Sequence, residues 1–329
     1  MGNHPIRIGV MGAGGLGKAA AKIISMKREA HLVAICDREG LAFDPEGLSG
    51  DAIYDLKPDQ SVADISGGRR CTDSLSRMRE AASEIDAFFV ALPNLPNDFI
   101  PGVIRDFIAG GASGCFVDAL KRTSAMEQVF SLHGEVERSR SVYLTGCGAT
   151  PGLLSAAAVL AAQSFVKVEK VDIFWGVGIA NWGAYRATIR EDIAHLPGYT
   201  VEKARSMSDA EIDALLAQTA GRLEFHGMEH ADDILLQKVG VVDDLEQVDV
   251  GGVMDTRSAK KPVSTTMTLT GVTFDGKRSS HRFILGDETT MASNVVGPAL
   301  GYLKRALWLK DRGIFGIFGS TDLMPMVLR

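Results

Sequence analysis

Between Arg7 and Asp37 the chain lays out an apolar strand, a glycine turn, a helix, a second strand and a terminal acid. The strand is Ile8-Gly9-Val10-Met11, and the turn is Gly12-Ala13-Gly14-Gly15-Leu16-Gly17. An alanine-rich helical run follows from Lys18 to Ile24, and Leu32-Val33-Ala34-Ile35-Cys36 then ends at Asp37. This is the plan of a βαβ unit that binds a dinucleotide. Gly12 makes the tight turn, Gly14 lets the backbone approach a pyrophosphate, and Gly17 lets helix and strand pack closely. Gly15 and Leu16 open the helix, whose free N–H groups favour phosphate charge. Asp37, about twenty residues past the last glycine, stands where a carboxylate accepts bonds from an adenosine ribose. That acid favours NAD, whereas the adjacent Arg38 can accommodate a 2′-phosphate and favours NADP. The choice stays open, with a slight lean to NAD.

Further strands and helices alternate after this unit. Residues 38–68 are polar and read as loops, with a short strand near Ser61–Ile65. A helical pattern from Ser74 to Glu84 feeds Ala87-Phe88-Phe89-Val90-Ala91-Leu92, a continuous apolar run typical of a buried parallel strand. It stops at Pro93-Asn94-Leu95-Pro96-Asn97. Open α/β sheets bind ligands at such strand ends, so Pro93 and Asn94 are cofactor-site candidates, with an ordinary helix-entry turn as the competing reading. Helix Phe99–Ala109, strand Cys115–Asp118, helix Ala125–Arg138 and strand Val142–Leu144 complete an α/β, Rossmann-type, doubly wound parallel sheet over residues 1–150.

The pattern changes beyond Gln163. Strands are expected at Val168–Val177, Leu223–Phe225, Val248–Val253, Ser264–Phe274 and Ser280–Leu285, the last two joined by an Asp275-Gly276 hairpin turn. Strands with few helices between them predict a second, α+β domain over residues 151–288, built on a mixed or antiparallel sheet. Residues 289–329 read as a long helix, Thr289–Leu309, and a short closing segment, Ile314–Phe318, packing back on the first domain.

Composition excludes several partners. Lysine and arginine number 35 against 41 acids, a formal charge of −6, and no basic cluster exceeds a triplet, which argues against nucleic acid. Cys36, Cys71, Cys115 and Cys147 lack CxxC spacing, as expected of reduced thiols, and no disulfide framework or zinc knuckle is indicated. No apolar run reaches the roughly 18 residues of a membrane span. The first strand begins too early for a signal peptide, and Ile6 breaks the myristoylation pattern after Met1-Gly2. A cytoplasmic protein is expected.

Three groups of residues invite chemistry. Lys121 lies just past a sheet strand, where an amine could protonate a substrate oxygen or nitrogen or anchor a carboxylate. The bland reading is a solvated Lys-Arg pair. In the stretch from Trp182 to His195, Arg186 and Arg190 are four apart, share a helix face and could grip a carboxylate. Trp182 would line the same place, and Tyr185 and His195, with Asp192, could supply hydrogen bonds or a proton. An exposed helix with local ion pairs is the competing reading. Finally, His226-Gly-Met-Glu229-His230 fits the H-x-x-E-H zinc pattern, but that pattern needs a helix, and Gly227 and the strand-like Leu223-Glu224-Phe225 argue against one. No metal is expected, and Cys147 lacks a base in its neighbourhood.

The glycine turn, Val117-Asp118 and Gly146-Cys147-Gly148-Ala149-Thr150-Pro151-Gly152 together resemble the saccharopine dehydrogenase-like family, relatives of carboxynorspermidine and diaminopimelate dehydrogenases. In that group a Gly-x-Asp-Pro-Gly turn follows the last Rossmann strand and lies near nicotinamide and substrate. Here Thr150 replaces its aspartate, so no single relative's substrate carries over. The resemblance implies NAD(P)-dependent amine oxidation or imine reduction on an amino-acid-like small molecule. It also implies roles for Gly148 at the cofactor and Thr150 at the substrate, in a cleft between two domains. A homoserine-dehydrogenase-like hydroxy or aldehyde oxidoreductase competes, because Lys121 is similar to that family's lysine. A dinucleotide-sensing regulator without turnover is the non-enzymatic alternative. A homodimer is expected on general grounds.

Overall fold

The structure, a computed structural model, describes residues 4–57, 59–180 and 182–328, so Met1 and Gly2 lie outside the described residues. The chain divides into two compact units. The first comprises residues 1–120, 124–148 and 295–319, and the second 121–123, 149–294 and 320–329.

The first unit begins with β1 (Ile6–Met11), α1 (Gly15–Ser25) and β2 (Ala30–Cys36). Three short elements then occupy the region expected to be loops: β3 (Gly40–Phe43), α2 (Gly50–Tyr54) and β4 (Gly68–Arg70). The strand expected near Ser61–Ile65 is instead a single 3-10 turn, Val62–Asp64, closed by a reciprocal Ser61–Asp64 cap. Ser61 and Asp64 are strong capping residues at the spacing of a capping box, and that local bonding overrides the strand tendency of Val62 and Ile65.

Next come α3 (Ser74–Glu80), β5 (Ala87–Val90), α4 (Phe99–Ala109) and β6 (Cys115–Asp118). The helix expected over Ala125–Arg138 is two helices, α5 (Thr123–Ser131) and α6 (His133–Arg138), broken at Leu132. β7 (Val142–Thr145) follows. The eight-stranded sheet runs β4-β3-β2-β1-β5-β6-β7 and ends on β13 (Gly316–Gly319), a strand from the far end of the chain that pairs parallel with β7. All neighbours are parallel from β2 to β13, while β3 and β4 are antiparallel. Four buried residues in a row on β5, β6 and β7 explain their unalternating apolar sequences. Phe88 stacks on Phe116 with ring centroids 5.2 Å apart, and Phe107 meets both edge-on.

The second unit holds α7 (Leu153–Ala162), β8 (Phe165–Gly178), α8 (Arg186–Ile193), α9 (Val201–Ser206), α10 (Asp209–Gln218) and β9 (Arg222–Phe225). It continues with α11 (Asp232–Lys238), β10 (Val248–Asp255), β11 (Thr265–Thr273) and β12 (Arg278–Leu285). The strand order is β12-β11-β8-β10-β9, with only β8 and β10 parallel, a mixed sheet. Val168, Val171, Ile173 and Trp175 of β8 are buried. α12 (Met291–Asp311) leaves this unit at Val295 and leads to β13. No helix among the described residues is long and apolar enough to cross a membrane.

Candidate active site

In the first unit the carboxyl end of β1 becomes the glycine turn. Gly12 has φ +101, and a Cβ there would stand 2.5 Å from the Ala91 carbonyl oxygen. A Cβ on Gly17 would stand 1.8 Å from the Gly12 carbonyl oxygen, so helix and turn touch only because both residues are glycine. A Cβ on Gly14 would meet nothing within 4 Å. That open space lies at the N-terminus of α1, whose first intrahelical bond runs from Lys18 N to Gly14 O. The amides of Gly15, Leu16 and Gly17 precede it, in the geometry that receives a pyrophosphate. A dinucleotide fits this cradle.

Asp37 stands at the end of β2 and is bonded to its own chain. Its Oδ1 accepts from the Glu39 and Gly40 amides at 2.8 and 2.9 Å and from the Ser61 hydroxyl at 2.9 Å, and its Oδ2 accepts from the Val62 amide at 2.9 Å. A carboxylate offers about four acceptor sites. Three of the chain's donors fall on Oδ1 and one on Oδ2, so Asp37 also organises the loops around β2. Arg38 is exposed at the adjoining turn. Pro93 and Asn94 lie in the extended loop after β5, and Asn97, three residues on, donates to Ser124 Oγ at 2.9 Å.

Buried at the end of β6, Asp118 accepts from the Tyr143 hydroxyl, from Thr145 Oγ1 at 3.0 Å and from the amides of Leu120 and Gly146 at 3.0 and 2.7 Å. Burial raises its pKa against the pull of those bonds. It fixes the chain on both sides of Gly146. Gly148 is buried in the turn that ends the first unit. Cys147 is fully buried, with its thiol pKa pushed well up by burial, and is no nucleophile.

The second unit gathers a charged cluster around residues 121–123. Lys121 Nζ is ion-paired with Asp192 and stands 3.6 Å from Glu191 Oε2, both carboxylates lying on α8 and nearly buried. Burial pulls the Lys121 pKa down, but the attraction of Asp192 and Glu191 outweighs it and leaves the ammonium favoured. Arg122 is not a solvated partner of Lys121. It is 5% exposed, pairs with Glu229, and directs Nη1 at His195 Nε2, 3.4 Å away. A guanidinium only donates, so Nε2 accepts and the imidazole proton sits on Nδ1. Burial lowers the His195 pKa to about 4, with Lys121 and Arg122 adding to the fall and Asp192 opposing it. The cluster therefore joins an acid, Lys121, to a neutral imidazole.

Arg186 and Arg190 do share a face, but the carboxylate they hold is the chain's own. Arg186 Nη2 lies 3.2 Å from Asp209 Oδ2, and Arg190 Nη2 lies 2.6 Å from Asp209 Oδ1 and 3.2 Å from the Met207 carbonyl oxygen. Trp182 Nε1 donates to Asp213 at 3.0 Å. Both interactions tie α8 and its entry, the stretch expected at substrate, to α10. Tyr185 is half-buried at the start of α8.

Thr150 Oγ1 donates to Asp232 Oδ2 at 2.5 Å, Ser155 Oγ donates to Oδ1, and His230 Nδ1 lies 2.8 Å from Oδ2. The two histidines of the H-x-x-E-H pattern part company. His226 is exposed beside Glu224, His230 is buried, and Gly227 between them has φ +55. Among the described residues no group of three or more His, Cys, Asp or Glu side chains could hold a metal ion. Arg122, Glu191, Ser155 and Asp232 escaped the sequence reading. Each is a polar residue whose partner is distant in sequence, and only the Asp232-Asp233 pair directly after the His-Glu-His pattern hinted at the network.

Comparison with known proteins decides the family. Over 349 aligned residues the chain is 41% identical to (S)-8-amino-7-oxononanoate synthase BioU from Haloferax mediterranei, covering 97% of this chain and 99% of that protein. The chain belongs to the BioU family. Its sequence thus meets a BioU protein where the turn motifs resembled the saccharopine dehydrogenase group. No protein-family model matches. Among solved structures, the BioU-family chain is similar in fold to a DAP dehydrogenase from C. glutamicum (TM-score 0.57, 16% identity, 96% and 93% of the two chains covered). It is also similar to an amine dehydrogenase from Mycobacterium smegmatis (TM-score 0.51, 13% identity, 99% and 98% covered). These likenesses place the BioU-family chain in the two-domain Rossmann fold of dehydrogenases.

Proposed function

We propose that this BioU-family chain is an NAD(P)-dependent oxidoreductase working at a C–N bond of an amino-acid-like substrate of the 8-amino-7-oxononanoate type. The observation that carries the reading is Lys121, held between Asp192 and Glu191 and three residues past Asp118. That short tether keeps its Cα within about 11 Å of the carboxyl end of β6. β6 lies two strands from β1, whose carboxyl end forms the glycine cradle, and parallel sheets bind ligands along that edge. Held over Gly12, Gly14 and Gly17, a dinucleotide would supply a hydride to carbon or take one from it.

The relative's name describes, as what that enzyme makes, a carboxylic acid with a ketone beside an amine, which supports an amino-oxo acid as the substrate or product class here. Lys121 as an ammonium donates the proton that a carbonyl oxygen or imine nitrogen takes up as hydride reaches carbon. In the reverse sense the same Lys121 amine takes that proton back, while His195, neutral and accepting from Arg122 at Nε2, holds the guanidinium beside it. The ketone in the relative's name favours a second role for the same amine. Lys121, once deprotonated, can condense with the carbonyl, forming a C=N bond and releasing water.

The test is to incubate the purified chain with 8-amino-7-oxononanoate and NADH or NADPH, following nicotinamide oxidation and the intact-protein mass with and without borohydride. Substrate-dependent oxidation that is lost in Lys121→Ala supports the reading, and a borohydride-stabilised adduct absent from Lys121→Ala selects the Schiff base. Turnover of a semialdehyde but not of the amino-oxo acid would replace it with the aldehyde reading. Tight dinucleotide binding without oxidation of any substrate would make the protein a sensor.

A further inference from the structure

We infer that the first unit selects NADP(H) over NAD(H), with Arg38 binding the 2′-phosphate. The inference rests on the dinucleotide reading and adds a phosphate-monoester subsite to it. Gly12 N donates to the Cys36 carbonyl oxygen at 3.1 Å, which ties the glycine turn to the last residue of β2. The adenosine ribose of a dinucleotide lies at this strand end. Asp37 N donates to Gly40 O at 3.0 Å, closing a tight turn that carries Arg38 at its outer corner.

The carboxylates around this corner are already engaged. Asp37 accepts four donors from its own chain, three of them on Oδ1 and one on Oδ2, which hold the carboxylate to the loops around β2. Glu39 and Asp64 are bridged by one guanidinium, with Arg70 Nη1 2.7 Å from Glu39 Oε2 and Nη2 2.6 Å from Asp64 Oδ1. Arg38 is exposed, and among the described residues no ion pair or hydrogen bond engages its side chain. Glu39 and Asp64 are thus offset by Arg70, Asp37 is held by donors of its own chain, and a planar guanidinium suited to bidentate phosphate binding stands beside them.

Calorimetric titration of the full chain with 2′,5′-ADP and with 5′-ADP tests this without requiring turnover. The expected result is binding of 2′,5′-ADP tighter by about tenfold or more. Arg38→Ala should remove that preference while leaving 5′-ADP affinity unchanged, and Arg38→Lys should keep part of it. Equal affinity for the two nucleotides in the native chain, or a preference that survives Arg38→Ala, overturns the inference and leaves dinucleotide binding intact. Binding of neither nucleotide overturns the dinucleotide reading and the inference with it.

Discussion

Thr150 donates a 2.5 Å hydrogen bond to the fully buried carboxylate of Asp232. The related turn pattern carries an aspartate at the position of Thr150. In this chain a carboxylate reaches the turn from the start of α11, held also by Ser155. Removing one donor leaves a buried acceptor short of a partner, so Ser155→Ala should cost about 1–3 kcal/mol. Restoring the pattern should be worse. Thr150→Asp sets two carboxylates at hydrogen-bond distance in a dry site, where both cannot stay ionised. Its stability deficit should be largest at neutral pH and shrink in acid, as urea midpoints measured against pH would show.

Asp209 occupies the two arginines that sequence spacing assigned to substrate. Arg190→Ala should therefore leave the KM for substrate unchanged while lowering stability. A double-mutant cycle of Arg190→Ala with Asp209→Ala should return a coupling of about 1 kcal/mol or less, because Asp209 is 42% exposed. A KM rise without loss of stability would return Arg190 to the substrate.

Lys121 should be indispensable in a way its charge alone does not explain. Lys121→Arg keeps a cation for Asp192 and Glu191 but no proton exchangeable at working pH, so turnover should fall by about two to four orders of magnitude with folding preserved. Asp192→Asn removes the partner that raises the lysine pKa, and the alkaline limb of the rate profile should move to lower pH.

Much of this organisation was legible from residues 7–37, because a glycine turn between two strands imposes constraints that local sequence alone satisfies. The same holds for the buried strands, whose unbroken apolar runs need helices on both faces. The eighth strand was not legible as such. β13 is four residues, two of them glycine, and its pairing with β7 closes a gap of some 170 residues. The charged cluster was only half visible, since spacing names residues on one helix face but not what meets that face. Arg186 and Arg190 found a carboxylate of their own chain, while Arg122, which no spacing singled out, is the more deeply buried.

His195 gives the stability curve a predicted shape. Its pKa is about 4 in the folded chain against an ordinary 6.5. As pH falls below 6.5 the unfolded chain takes up this proton first, so the contribution is complete above 6.5 and is lost progressively down to about 4. His195→Gln should flatten denaturant midpoints over that window. If His195 acts as a base, the acid limb of the rate profile should likewise lie near 4 and not near 6.5.

Gly14 and Gly17 separate folding from binding within one turn. Gly17→Ala forces a Cβ to 1.8 Å from the Gly12 carbonyl oxygen, backbone that cannot step aside, and should destabilise the first unit severely. Gly14→Ala places its Cβ in open space, so the melting temperature should hardly change. That space is where the pyrophosphate must approach, and the methyl should weaken 5′-ADP and dinucleotide alike by about tenfold or more. Thermal melts paired with calorimetry distinguish the two outcomes. If Gly14→Ala bound nucleotide normally, the phosphate would lie elsewhere, and the glycine turn would be structural.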